Sequence, residues 1–218
     1  MTSTAFNLLT LALLVPSIVL HEVAHGYASL RSGDPTARDA GRLSFNPLRH
    51  VDLLGTILLP LMLWSSGAPV FGYAKPVPIN PGYYADLRKG QLRTGLAGPA
   101  ANLLLACLGG AVAWTAWSMG EAGGAAAGWA WLVAAAFVEV NLVLMFFNLL
   151  PIPPLDGSSI VPLFLSDAGL HQYYRLQRYA FPVLLVLLWG VPAVLGFDPI
   201  GAYLRHTVFP VFGMLVPQ

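Results

Sequence analysis

Charged residues are scarce in this sequence: they make up 10% of 218 residues, whereas soluble domains contain about 25%. Hydrophobic residues make up 56%. The formal net charge of +1 excludes the basic surface expected of a nucleic-acid-binding protein. A single cysteine, Cys107, excludes an internal disulfide framework and a cysteine-rich metal site. The composition indicates an integral membrane protein.

Long apolar runs predict how the chain crosses the bilayer. A helix needs about 20 residues to span about 30 Å of hydrocarbon. Runs at 6–29, 94–119 and 128–150 meet this length, and a shorter run at 180–195 comes close. Two others, 53–64 and 208–216, are short or interrupted. We expect an all-α polytopic membrane protein with about four to six transmembrane helices, forming a single domain over residues 1–218.

The basic residues predict the orientation of these helices. Ten of the eleven fall in three groups: Arg31, Arg38, Arg42 and Arg49; Lys75, Arg88, Lys89 and Arg93; Arg175 and Arg178. Basic loops favour the cytoplasmic side, so all three groups are expected there. Residues 53–64 lie between the first two groups, and we therefore expect them to dip into the membrane and return. Such a re-entrant segment is tolerated only where it packs against protein or lines a wet cavity.

The first apolar run ends in the sequence His-Glu-Val-Ala-His, residues 21–25. His21 and His25 are four residues apart and share one face of a helix, and Glu22 lies beside them. This spacing presents two imidazoles to zinc with a carboxylate available as a general base. Ionisable groups at this depth are costly and usually functional, so we interpret the cluster as a metal site.

A catalytic zinc usually takes three protein ligands. The candidates for the third are His50, Glu139, Asp156 and His171. The predicted topology favours Asp156, because the run at 128–150 crosses in the same direction as the first and delivers this residue to the same side. Glu139 remains the rival ligand, with a hydrogen-bonded carboxylic acid inside the membrane as its alternative role.

Four motifs together resemble the site-2 protease family of intramembrane zinc metalloproteases, in the small form without a PDZ domain. They are His-Glu-Val-Ala-His at 21–25, FGYAKPVPINP at 71–81, AGPAAN at 97–102 and FNLLPIPPLDG ending at Gly157. The resemblance covers about residues 15–165. It implies a catalytic core at about 5–165 followed by C-terminal helices at 166–218, one Zn²⁺ held by His21, His25 and Asp156, and Glu22 as general base.

Other residues are candidates for supporting the site or binding substrate. The segment 71–81 is either an edge strand that pairs with an unwound substrate or a simple interfacial loop, and the resemblance favours a short β-like loop near the active site. Gly72 and Lys75 belong to this segment. Asn102 and Asn148 are polar amides that can hydrogen-bond the substrate or the helix that bears the zinc ligands.

The resemblance implies an enzyme that hydrolyses peptide bonds in or near transmembrane segments of membrane-protein substrates, in regulated intramembrane proteolysis. The expected location is a bacterial or archaeal cell membrane, with the active site toward the cytoplasm. The expected partners are the substrate segment and the lipid bilayer, without nucleic acid; the oligomeric state is not predicted. A metal-binding membrane transporter or sensor is the alternative, since intramembrane histidines and acids also form ion pathways.

Overall fold

The computed structural model describes residues 3–58, 61, 62, 65 and 74–218, with the backbone alone at 3–8, 57 and 121. In these ranges the regular structure is helical, with no β-strand. The α-helices are α1 (Ser3–Arg31), α2 (Thr36–Asp39), α3 (Leu87–Ser118), α4 (Gly124–Asn148), α5 (Asp167–Leu176), α6 (Ala180–Leu185), α7 (Val191–Leu195) and α8 (Pro199–Leu215). A 3-10 helix over Asp156–Phe164 follows α4. The predicted all-α class is confirmed.

Within the described ranges, four helical stretches are long and apolar enough to cross a membrane. They are Leu9–Arg31, Leu87–Ser118, Gly124–Asn148 and Asp167–Leu195, the last of which joins α5, α6 and α7 through short 3-10 and π turns. Their number agrees with the prediction. The fourth begins earlier than the predicted run at 180–195, because the Ser166 side chain caps a polar first turn by accepting from the Gly169 N–H.

Small residues allow three helices to pack closely at the centre. A side chain at Gly109 of α3 would collide with Val138 of α4, and one at Gly110 would press on Leu215 of α8. The surrounding core contains Ala106, Ala113, Ala134, Val138 and Leu142. Helices in lipid gain stability from such close backbone approach, since lipid tails are as apolar as the side chains. The helix α8, with 17 residues, contains most of the run at 208–216.

The end of α1 and the beginning of α3 lie together. The His25 Nδ1 atom is 2.6 Å from the Thr94 carbonyl oxygen, and both residues are close to these helix ends. The connection between α1 and α3 therefore starts and finishes at one end of the bundle, as the predicted non-crossing segment requires. Residues 53–58 form a π-helical turn. Part of 53–64 lies outside the described residues, so its re-entrance stays a prediction.

The segment 74–80 has no regular secondary structure. The β-like loop expected within 71–81 is therefore not confirmed in its described part, and Gly72 lies outside the described residues. Two prolines, Pro76 and Pro78, have no N–H with which to join a ladder. The Lys75 N–H, which a partner strand would need, is donated instead to the His50 carbonyl over 2.8 Å.

Candidate metal centre

Three potential metal ligands converge at the end of α1. His21 and His25 project from one face of the helix, and Asp156 approaches from the first residue of the 3-10 helix that follows α4. The two Nε2 atoms are 3.0 Å apart. Asp156 Oδ2 lies 3.1 Å from the Nε2 of His21 and 3.2 Å from that of His25. Both histidines are buried, at 6% exposure each.

Carbonyl acceptors fix the tautomers of both imidazoles. The Nδ1 of His21 lies 2.5 Å from Asn102 Oδ1, and the Nδ1 of His25 lies 2.6 Å from the Thr94 carbonyl oxygen. Each acceptor requires the proton on Nδ1, and the lone pair of each Nε2 therefore points toward the other ring and Asp156. A hydrogen-bonded Nδ1–H of this kind is the usual arrangement for histidines that bind a metal.

The three atoms fit a cation. Asp156 Oδ2 is buried and has no hydrogen-bond partner in the part of the chain that the structure describes. Burial raises the pKa of this carboxyl, but protons carried on the facing Nε2 atoms would lower the pKa, to about 2. Two lone pairs and a carboxylate oxygen this close need a proton or a metal ion between them. Two imidazoles and one carboxylate are a ligand set that zinc accepts.

Glycines on α3 make room for these ligands. A Cβ atom at Gly98 would overlap ring atoms of both His21 and His25. A Cβ atom at Gly95, one turn earlier, would overlap Ser159 and lie 2.9 Å from the Asp156 carbonyl oxygen. Asn102, a further turn along, points to the same side, because positions three and four apart share a helix face. One face of α3 therefore shapes the whole centre.

A buried polar chain supports His21 from behind. Asn102 accepts from His21 and donates through Nδ2 to Asn141 Oδ1 of α4 over 2.9 Å. Asn141 in turn donates to Ser17 Oγ of α1 over 3.0 Å. All three supporting side chains are fully buried. The chain ties α1, α3 and α4 together at the level of the metal ligands.

A second polar chain lies behind His25 and ends at Asp34. Ser29 Oγ donates to Asp34 over 2.8 Å, so the hydroxyl of Tyr84 must donate to Ser29, 2.9 Å away. Thr94 Oγ1 then donates to Tyr84 over 3.0 Å. Thr94 also accepts from His25 through its carbonyl. Burial raises the pKa of Asp34, but hydrogen bonds from Thr36, the Asn80 N–H and Ser29 lower it below 3.8.

The carboxylate of Glu22 is held from outside the helix. Its Oε2 accepts a 2.9 Å hydrogen bond from the backbone N–H of Val77. The residue is half-buried, whereas His21 and His25 are buried. Among the described residues, the second carboxylate oxygen has no hydrogen-bond partner, so it can accept from a substrate or a water molecule.

Similarity to known proteins identifies the family. The chain is 34% identical over 192 residues to YwhC of Bacillus subtilis, a candidate zinc metalloprotease, covering 87% of this chain and 80% of YwhC. The model of peptidase family M50 matches residues 110–191, which include Asp156 and exclude His21, Glu22 and His25. The chain belongs to this family.

Two further relatives of this M50 peptidase carry the name Rip2 and are also candidate zinc metalloproteases. Identity is 28% over 172 residues with the protein of Mycolicibacterium smegmatis, covering 79% of this chain and 63% of the relative. Identity is also 28% over 174 residues with the Rip2 protein of Mycobacterium tuberculosis, covering 78% of this chain and 62% of the relative. No solved structure matches. Family membership confirms the resemblance to site-2 proteases and the prediction of a zinc metalloprotease.

The remaining candidate ligands of this M50 peptidase lie elsewhere. Glu139 lines a mainly apolar cavity between α1 and α4, with Thr10 and Leu14 on the opposite wall. His50 is buried with Nε2 2.8 Å from the Ser44 carbonyl oxygen. His171 is exposed on α5. Among the described residues, the group able to hold a metal consists of His21, His25 and Asp156.

Two other predicted site residues make contacts away from the three ligands. Asn148 donates through Nδ2 to the Leu144 carbonyl within its own helix. Lys75 is exposed, and its carbonyl accepts from Arg42 Nη2 over 2.9 Å. Their proposed roles in substrate binding therefore rest on the resemblance alone.

Sequence reasoning missed several residues that the fold places around the centre. Asn141 is an amide within an apolar span, and this unusual position could have marked it as functional or paired. Thr94, Tyr84 and Asp34 carry no such signal. Their importance depends on contacts between chain segments that the sequence alone does not bring together.

Proposed function

We propose that this M50 peptidase is an endopeptidase that binds one Zn²⁺ and cleaves peptide bonds in or beside transmembrane segments of other membrane proteins. The observation that carries the proposal is the meeting of His21, His25 and Asp156 between two membrane-spanning helices. A protease that acts on soluble chains has no need to enclose its ligands in such a bundle, since burying them in lipid is costly.

The proposed chemistry divides between zinc and Glu22. Zinc, held by His21, His25 and Asp156, would supply a Lewis acid that polarises the scissile carbonyl and makes water more acidic. Glu22 would take a proton from the attacking water and pass it to the leaving amine. Asn102 and the Thr94 carbonyl would hold the imidazoles in the tautomer that zinc requires.

Space for a substrate lies next to Asp156. A cavity of about 200 Å³ is lined there by Thr94, Gly95, Ser159, Tyr173 and Tyr174, among others. Its walls come from α3, the 3-10 helix and α5. We assign this cavity to a substrate side chain beside the scissile bond.

The test combines metal content with the positions of cleavage. The purified wild-type protein is expected to contain one zinc per chain by mass spectrometry, and Asp156→Ala to lose it. Glu22→Gln is expected to keep the zinc and lose cleavage. Membranes from cells producing wild type or Glu22→Gln would then be compared for new protein N-termini. Termini dependent on Glu22 should map within or beside transmembrane segments.

Other outcomes would contradict the proposal. New N-termini found only in soluble proteins would exclude transmembrane segments as the substrate. Zinc binding without any cleavage that depends on Glu22 would favour the transporter or sensor. Zinc retained in Asp156→Ala would exclude Asp156 as an essential ligand.

We further propose that the site faces the cytoplasm, because the connection Gly120–Gly123 contains no basic residue while the opposite end of the bundle carries most of them. Single cysteines in a Cys107→Ala background test this. Ala122→Cys should react with a membrane-impermeant maleimide in intact cells, and Leu48→Cys only after permeabilisation. The reverse pattern would invert the orientation.

A further inference from the structure

The stretch Pro76-Val77-Pro78 contains one backbone N–H. Proline has none, and the N–H of Val77 is therefore the single donor that these three residues possess. That donor is directed at Oε2 of Glu22, 2.9 Å away and 55 residues earlier in the chain. The arrangement leaves this short stretch with no other main-chain donor to offer.

The segment around Val77 is held by partners other than Glu22. Lys75 donates its N–H to the His50 carbonyl over 2.8 Å, and Asn80 donates its N–H to Asp34 over 2.7 Å. Arg42 donates through Nη2 to the carbonyls of Lys75 and Pro76 over 2.9 and 3.3 Å. These contacts fix the backbone on both sides of Val77.

The side chain of Val77 also anchors the segment. It is 4% exposed and lies against Gly26 of α1, where an added Cβ atom would be 3.0 Å from Val77 Cγ1. Glu22 has three rotatable side-chain bonds, whereas the Val77 N–H is fixed by packing and by hydrogen bonds on either side. The rigid partner in this hydrogen bond is therefore the donor.

We propose that Val77 is a positioning residue, whose backbone N–H holds the Glu22 carboxylate in the orientation required of the general base. This inference rests on the proposed function for the role of Glu22. With Oε2 occupied by the N–H, Oε1 is the oxygen directed to the proton of the attacking water. The prolines on either side restrict the backbone, which makes the direction of this N–H reproducible.

Hydrogen exchange at the Val77 amide tests the contact without any substrate. It would be read by mass spectrometry on fragments of the zinc-loaded protein that separate residues 75, 77 and 80. Glu22→Ala is expected to speed exchange at Val77 about tenfold or more, because the acceptor is lost. The amides of Lys75 and Asn80 should keep their rates, because their acceptors are His50 and Asp34.

Glu139→Ala is the matched control, since it removes a carboxylate that lines a different cavity. It should leave exchange unchanged at all three amides. An unchanged Val77 amide in Glu22→Ala would overturn the proposal. Faster exchange at all three amides would also overturn it, because Glu22 would then be holding the segment.

Replacing Val77 with 2-hydroxyisovaleric acid tests the consequence for catalysis. This change keeps the side chain and converts the N–H to an ester oxygen. We expect kcat to fall about tenfold or more, because a hydrogen bond to a charged group is lost, with KM and zinc content unchanged. The same ester linkage at Phe45, introduced with 3-phenyllactic acid in an exposed loop, should keep kcat within about twofold of wild type.

A rise in KM with kcat unchanged, a loss of zinc, or an equal fall in kcat for the ester at Phe45 would overturn the positioning role. Failure of the proposed function gives a different result. A wild-type protein without cleavage that depends on Glu22 would refute the protease, while hydrogen exchange would still report whether Val77 binds Glu22.

Discussion

At the scale of single residues, Asn102 connects the metal ligands to the rest of the bundle. Its Oδ1 accepts the proton of His21 Nδ1, and its Nδ2 donates to Asn141. An amide is suited to this place because it offers an acceptor and a donor on one rigid plane. The orientation of His21 thus depends on a side chain of a different helix.

Asn102→Ala is expected to weaken zinc binding about 10- to 100-fold, because groups that orient metal-bound histidines typically have effects of this size. The measurement is zinc retention during competition with a chelator of known affinity. Thr115→Ala is the control on the same helix, since Thr115 hydrogen-bonds only within its own turn. Equal retention in both variants would show that Asn102 does not orient the ligand.

Asp34 provides a pH-dependent prediction at this scale. Hydrogen bonds from Thr36, Asn80 and Ser29 outweigh burial and lower its native pKa below 3.8. A carboxyl whose pKa is lower in the folded than in the unfolded protein stabilises the fold at any pH above its pKa in the unfolded chain. This stabilisation is lost as the pH falls through the pKa of the folded protein. Asp34→Asn should therefore have a lower Tm than wild type at neutral pH, and the difference should shrink below about pH 3.8.

The check is a series of thermal unfolding curves from pH 7 to pH 3 for both proteins in detergent. Other acid-sensitive groups act on both and cancel in the difference. Asp39→Asn, at an exposed position, should follow the wild type throughout. A Tm difference for Asp34→Asn that grew toward low pH would contradict the assigned direction.

The sequence predicted the three candidate ligands, which lie together in the structure, but it did not predict the residues that support them. His21 and His25 follow from a spacing of four on one helix, and Asp156 from topology and resemblance. Ser17, Asn141 and Tyr84 act through partners on other helices, so no local pattern reveals them. The Val77 N–H is a backbone group that almost every residue possesses, so the residue type at position 77 does not reveal its role.

At the scale of elements, α3 is the template for the centre. Thr94, Gly95, Gly98 and Asn102 line one face of this helix, and each either contacts a ligand or makes space for one. The atoms that lie against these two glycines belong to His21 and His25 at Gly98, and to Ser159 and Asp156 at Gly95.

Gly98→Ala should disrupt the metal site, because the new Cβ atom would overlap ring nitrogens of both His21 and His25. We expect zinc content to fall well below one per chain while the protein remains folded in detergent. Gly128→Ala is the matched control, because a Cβ atom there meets nothing within 4 Å. Full zinc content in Gly98→Ala would show that the helices can separate enough to admit a methyl group.

The helices were easier to predict than the segments between them. Apolar runs give the spans directly, since lipid requires a continuous hydrogen-bonded helix. The segment 74–80 was harder, because its conformation depends on acceptors in α1, in the Asp34 turn and at His50. The extended α5–α7 span was also shortened in the prediction, because its first turns are polar.

At the scale of the whole molecule, the bundle has two unlike ends. Polar chains, the ligands and most basic residues gather where α1 ends and α3 begins. At the opposite end of the bundle, alanine and glycine residues allow α3 and α4 to pack closely against each other and against α8. Chemistry and close apolar packing are thus separated along the bundle.

The ligand positions also have a mechanical consequence. His25 and Asp156 lie at the two ends of the stretch that contains α2, α3 and α4, so one ion bound to both would crosslink the chain around these three helices. Closing so long a loop restricts the unfolded chain more than the folded one. Removing zinc with a chelator should therefore lower Tm as well as abolish activity, whereas Glu22→Gln, which keeps the crosslink, should abolish activity without lowering Tm. An unchanged Tm after complete zinc removal would show that helix packing alone holds the loop closed.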